Sequence, residues 1–170
     1  YYPDRVAQGH ELPQDIRGMG QALVEAHVPF NVVTEDDLAD GLDSYRALVI
    51  PNAACMSDEH VSAVSNFVER GGGLVATGVS SLYDEEYGTR QDFGLAEVLG
   101  VHHGQKHDGP VKNSFGLGLS VYLPGTPEQD FWDRGSPESV SMIEGALAHV
   151  LRGDRQIEVD APSVVVVNVA

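Results

Sequence analysis

Residues 45–84 switch twice between two hydrophobic patterns. Ala47-Leu48-Val49-Ile50 is an unbroken apolar run that Pro51-Asn52 stops, the pattern of a strand buried on both faces. Ser57 can cap a following helix, with Asp58 and Glu59 near its positive end. Val61, Val64, Phe67 and Val68 then recur at helical spacing, so one face of that helix is apolar. Gly71-Gly72-Gly73 ends the helix, and Leu74-Val75-Ala76-Thr77 forms the next strand. Because these glycines follow a helix and open a strand, they are not a phosphate loop, which has the reverse order. A strand-helix-strand unit of this length forces a parallel, right-handed crossover. In such sheets chemistry gathers beyond the carboxyl ends of the strands, which singles out loops 51–57 and 78–87.

The same alternation extends along the chain. Pro13 opens a helix striped by Ile16, Met19, Leu23 and Ala26, running to about His27. Pro29 breaks it, and Phe30-Asn31-Val32-Val33 reads as a strand. Thr34-Glu35-Asp36-Asp37-Leu38 reads as a capped short helix. Asp92 can cap a helical turn over residues 93–99, stopped by Gly100. Residues 101–125 show no clear period, and Gly104, Gly109, Gly116 and Gly118 predict a loop or hairpin excursion. Ser136-Pro137-Glu138 starts a helix carrying Val140, Ile143, Leu147 and Val150. Two further strands are expected at 156–159 and 163–169, so that residues 154–170 would begin a following β region. The expectation is one α/β domain over residues 1–170: a flavodoxin-like three-layer sandwich with a mostly parallel sheet, helices on both faces and extra C-terminal strands.

The strand and loop LVIPNAACMSDEH, the helix end FVERGGGLVATG, the loop SSLYDEEYG and the segment DFGLAEVLGV together resemble a known family. They are similar to the class I glutamine amidotransferase-like fold in the version found beside glycosidase barrels, the trimerisation (middle) domain of family 42 β-galactosidases and related glycosyl hydrolases. The resemblance covers roughly residues 9–101. It implies a non-catalytic accessory domain that supports oligomerisation and walls a carbohydrate-binding cleft. Its implied partners are the protein's own catalytic barrel or a neighbouring subunit, with carbohydrate nearby and homo-oligomers in the full-length protein. The chain opens Tyr1-Tyr2-Pro3-Asp4 with no strand pattern before the first helix, so the fold's first strand is expected outside these residues. In the resembled family a catalytic barrel precedes this domain and would carry the glycosidase carboxylates.

Composition narrows the partners. The 170 residues include 26 acidic and 10 basic side chains, a formal charge of -16, with a pI near 4.5. Nucleic acid and anionic membrane need basic surface, so neither is expected as a partner. No apolar run approaches the length of a membrane span, and no signal sequence is recognisable. One cysteine excludes an internal disulfide and leaves the redox compartment open; the cytoplasm is the expected location. No cofactor is implied.

Candidate chemistry is sparse. The resemblance implies a nucleophilic cysteine on the turn after Leu74-Val75-Ala76-Thr77, but that turn reads Gly78-Val79-Ser80-Ser81 and puts Ser80 there. No His-x-Glu follows, and Leu82 breaks a serine elbow. Ser80 is read as a loop serine that hydrogen-bonds the turn. Cys55 could pair with His60 across the helix start as an independent hydrolase; otherwise it is a small thiol packed under the loop. His102, His103 and His107, with Asp108, could converge on a metal; a hydrated histidine-rich loop is the simpler reading. Asn52, Ser81, Tyr83, Asp84, Glu85 and Tyr87 lie on the carboxyl-edge loops. Tyrosine faces beside carboxylates suit sugar hydroxyls or an interface, and Arg90 is expected to pair with one of these acids. Phe131-Trp132 is a stacking platform or a core anchor. Besides the accessory domain, two alternatives stand: an amidotransferase-like hydrolase using Cys55 or Ser80, and a small-molecule-binding module.

Overall fold

The computed structural model describes residues 13–35, 38 and 42–153. Helix α1 spans Gln14–Glu25. A single 3-10 turn at Leu42–Ser44 leads to strand β1, Ala47–Ile50. Helix α2, Asp58–Glu69, is capped as expected: the Ser57 hydroxyl accepts a hydrogen bond from the His60 amide at 3.2 Å. It ends on the predicted glycines, with the Gly71 and Gly72 amides donating to the Val68 and Phe67 carbonyls and Gly71 at φ 115. Strand β2 is Gly73–Thr77. A short helix α3 covers Ala96–Leu99 and stops at Gly100 in the left-handed region. Strands β3, Val111–Phe115, and β4, Gly118–Leu123, form a hairpin. Helices α4, Pro127–Arg134, and α5, Pro137–Val150, follow.

The sheet order is β1-β2-β4-β3, parallel except for the β3–β4 hairpin. The α2 crossover sets Ala47 opposite Gly73 and Ile50 opposite Ala76. Leu48, Ile50, Leu74, Ala76 and Tyr122 face α2 and α3, where Val64, Phe67, Val68 and Leu99 cover them. Val75, Val121 and Leu123 face the opposite layer, where Met19, Leu23, Phe131, Ile143 and Leu147 cover them. The molecule is therefore a three-layer α/β sandwich. Burying each large aliphatic side chain in these layers contributes on the order of 1.5–3 kcal/mol.

Several sequence expectations shift. The segment 28–34 is neither helix nor strand and joins no ladder among the described residues, and Phe30 and Val32 are 43% and 69% exposed. A strand needs a partner, and none stands beside it there. Glu35 and Leu38 are helical, while residues 36–37 and the predicted strands in 154–170 lie outside the described residues. The glycine-rich stretch after residue 101 contains the hairpin, and β4 is an interior strand rather than part of an excursion. Its buried Ser120 obscured the apolar period; the hydroxyl donates to the Val98 carbonyl at 2.6 Å. Helix α4 was not anticipated, although Thr126-Pro127-Glu128 repeats the start signal of Ser136-Pro137-Glu138. Asp92 does not open a helix over 93–99, because helix begins only at Ala96.

Candidate functional site

At the carboxyl ends of β1 and β2 the chain gathers a buried polar cluster. Asn52 follows β1 in the left-handed region, at φ 47. Its amide donates to the Thr77 hydroxyl oxygen at 3.0 Å. Its side-chain Oδ1 accepts from the Val79 amide at 2.9 Å, and Nδ2 donates to Asp15 Oδ1 at 3.3 Å. The Thr77 hydroxyl donates in turn to Glu128 Oε1 at 2.6 Å. Glu128 is fully buried, and its Oε2 has no hydrogen-bond partner among the described residues. The cluster thus joins α1, both strand ends and the first turn of α4. Tyr122 closes one side, its hydroxyl donating to the Gly78 carbonyl at 2.8 Å.

Electrostatics follow from burial. Loss of solvent pushes Glu128 up to about 7; the Thr77 hydrogen bond opposes the rise and the Asp15 carboxylate adds to it. Burial also raises Asp15, against hydrogen bonds from Asn52 and Gln129. Two carboxyls with raised affinity for protons can accept donors and share charge.

Gly78 is required here by shape. It stands at φ +60, and a Cβ would fall on the Asn52 side chain. Ser80 and Ser81 continue the turn, both buried. Ser80 Oγ donates to the Thr77 carbonyl at 2.7 Å and to the Ile50 carbonyl at 3.2 Å. Ser81, at φ 65, accepts the Leu95 amide on its hydroxyl at 3.0 Å. Cys55 is half-buried and forms an isolated parallel bridge with Tyr83. Among the described residues, neither Cys55 nor Ser80 hydrogen-bonds a histidine. His60 sits in the first turn of α2, and its backbone serves the cap.

The loop beyond is a tight acidic turn. Asp84 Oδ1 accepts from the Gly88 and Glu86 amides at 2.7 and 3.0 Å, fixing the turn through its own carboxylate. Glu85 is exposed, and Tyr87 stands at φ 66 with 62% of its surface in solvent. Arg90 does not pair with these acids. It turns to the start of α2, bonding Asp58 at 2.6 Å and the Met56 carbonyl at 2.9 Å.

The histidine loop divides among partners. His102 Nδ1 lies 2.6 Å from Asp92 Oδ2, and the His103 amide donates to Asp92 Oδ1 at 2.7 Å. The His103 ring meets the Phe93 ring edge-on at 5.9 Å, and His107 meets Tyr122 at 6.1 Å. Among the described residues, no three His, Cys, Asp or Glu side chains gather to hold a metal ion. Phe131 is a core residue, while Trp132 is 39% exposed beneath the Arg17 guanidinium at 4.9 Å. No helix among the described residues is long and apolar enough to cross a membrane.

Asn52 and Ser81 were legible as loop residues. Asp15, Thr77 and Glu128 were not, because they come from three distant elements. The available signals were a threonine closing a buried strand and an acid directly after the Thr126-Pro127 helix start.

No curated protein matches the chain by sequence. Solved structures with a similar fold include Gan42B, a GH42 β-galactosidase, at 18% identity and a TM-score of 0.57, with 76% of this chain aligned to 26% of that one. A catalytic mutant of Gan42B from G. stearothermophilus gives the same values. The β-galactosidase from Bacillus circulans sp. alkalophilus matches at 15% identity and a TM-score of 0.61, with 85% of this chain aligned to 28% of that one. The chain thus spans about a quarter of the length of these enzymes. The family model described as the β-galactosidase trimerisation domain matches residues 4–131, more than half of the chain. With this match and the three-layer fold in agreement, the chain belongs to the β-galactosidase trimerisation domain family.

Proposed function

We propose that this chain is the non-catalytic accessory domain of a β-galactosidase-like glycosyl hydrolase, where it supports oligomerisation and walls a carbohydrate-binding cleft. The family match over residues 4–131 carries this reading. The chemistry of the carboxyl edge supports it. By the resemblance to amidotransferase-like enzymes the nucleophile position falls on Ser80, whose hydroxyl is given to two backbone carbonyls. What the edge presents outward is Tyr87, Glu85 and Glu86 on a self-braced turn. Such a surface suits contact with a catalytic barrel, a neighbouring subunit or sugar hydroxyls.

The test uses the full-length parent protein. Cys55→Ala and Ser80→Ala should leave kcat on a chromogenic β-galactoside near wild type. Tyr87→Ala with Glu85→Lys should lower the assembly's mass in sedimentation or raise KM. Loss of hydrolysis in Cys55→Ala or Ser80→Ala, with folding and mass unchanged, would overturn the reading in favour of a hydrolase built on this domain.

A further inference from the structure

The amino ends of β1 and β2 carry a second feature, at the opposite end of the sheet from the Glu128 cluster. A cavity of about 310 Å³ opens there between the carboxyl ends of α2 and α5. Its floor is apolar, lined by the buried side chains of Leu42, Phe67 and Val150. Three arginines surround it: Arg46 just before β1, Arg70 at the end of α2 and Arg152 just after α5. They are three of only ten basic side chains in a chain of formal charge -16, so positive charge is concentrated here in a molecule otherwise dominated by acids. Asp43 and the two helix ends offset part of it. Each helix carboxyl end carries about half a negative charge, so the cavity keeps a positive charge of about one. Glu69, the last residue of α2, does not line it and lies instead against the turn at Gly116.

We propose that this cavity is a binding site for a carboxylate carried on a short apolar body. The fork of a guanidinium matches the two oxygens of a carboxylate, and one such contact is already built at the rim, where Arg70 Nη2 bonds Asp43 Oδ1 at 3.0 Å. Those two side chains are 63% and 88% exposed, so water competes for the pair and a ligand can displace Asp43 at little cost. Arg152 is held in place. Its guanidinium donates to the Leu117 carbonyl at 2.7 Å, from a backbone at φ 56. A guanidinium has five donors, so this brace leaves others for a ligand. The floor selects against a bare anion. Inorganic phosphate gains nothing from Leu42, Phe67 and Val150, whereas a ring or branched alkyl group is stabilised by leaving water. The volume stands at the small end of ligand pockets, about 300–1,000 Å³, which limits that body to about one ring. Two sources supply this chemistry: a free small molecule, and an Asp or Glu side chain of a neighbouring polypeptide. The inference does not rest on the role proposed above for the domain.

Fluorine NMR of 4-fluorobenzoate with the full-length parent protein tests the site, at fixed ionic strength because salt screens the arginines. Titration should give saturable broadening of the probe signal. The uncharged amide of the same shape, 4-fluorobenzamide, should not reproduce it. Arg46→Ala with Arg152→Ala should weaken binding about tenfold, with circular dichroism unchanged. Asp43→Asn removes the competing carboxylate from an exposed position and should strengthen binding about threefold. That variant decides the matter should the arginine pair fail to fold, since an affinity left unchanged or lowered by it would overturn the proposal. If free probe does not bind, but Arg46→Glu with Arg152→Glu lowers the parent's mass in sedimentation while its circular dichroism is kept, the carboxylate is a neighbouring polypeptide's. Equal affinity in wild type and the arginine variant, equal binding of the amide, or neither broadening nor a change in mass would overturn the proposal.

Discussion

The hydroxyl of Thr77 donates a 2.6 Å hydrogen bond to the carboxyl of Glu128, tying the carboxyl end of a central strand to the first turn of α4. Only one oxygen of that carboxyl is satisfied among the described residues. Burial holds Glu128 near 7 when folded, above its ordinary value of 4.5. The folded state therefore binds more protons than the unfolded state between those values, so stability falls as pH rises through that window. Glu128→Gln removes the titration. Urea unfolding at pH 5 and pH 8 should show wild type losing on the order of 2 kcal/mol more than the variant between the two. A parallel pH response would refute the assignment.

Replacing the donor tests the same link from the strand. Thr77→Val deprives both the Glu128 carboxyl and the Asn52 amide of a partner. It should cost about 2–4 kcal/mol in denaturant unfolding, because buried polar groups are left unmade. Thr77→Ser, which keeps the hydroxyl, should recover most of that loss.

Gly18 reverses a helix-propensity rule. In the interior of α1, Gly→Ala ordinarily stabilises by about 0.5–1 kcal/mol. Here a Cβ would fall on the Glu128 carbonyl oxygen, well inside van der Waals contact, with the Trp132 Cβ also 3.3 Å away. Gly18→Ala should therefore lower Tm, because α1 and α4 must separate to admit the methyl. A raised Tm would show that the two helices part at little cost.

His102 gives a surface readout. Its hydrogen bond and charge contact with Asp92 raise its affinity for protons above the ordinary histidine value of 6.5. Burial works against Asp92, but hydrogen bonds from His103, His102 and Phe93 hold its carboxyl below the usual range. The favourable contact is fully present below the ordinary histidine value and is lost as pH rises through the raised one. NMR titration should place the His102 midpoint above 6.5, and Asp92→Asn should return it toward that value. An identical midpoint in the two proteins would contradict the pairing.

The unit β1–α2–β2 was legible because its signals are local: unbroken apolar runs, a serine cap and a glycine stop, each within a few residues. Strand β4 was hidden because Ser120 interrupts the apolar pattern, and its hydroxyl finds its partner only in the folded state, on Val98. The pattern of Phe30-Asn31-Val32-Val33 predicted a strand that does not form among the described residues, because pattern cannot report whether a neighbour is present to pair with. The same limit governed the site. Asn52 could be placed on its loop from strand-end logic, whereas its link through Thr77 to Glu128 and its contact with Asp15 depend on tertiary packing that no window of sequence contains. Arg90 chose Asp58 over nearer acids because the turn already uses Asp84 for its own amides.

The two margins of the sheet are unlike, and that asymmetry limits how copies can stick together. On the β3 side, Lys112 and Ser114 point to solvent from a short antiparallel strand, a margin poorly suited to recruiting another chain. On the β1 side the margin is apolar and has no ladder partner among the described residues. Copies meeting edge to edge would do so through that single margin, each consuming the other's. Such a self-complementary meeting closes at two and leaves nothing to propagate, so misassembly would end in dimers, not fibres.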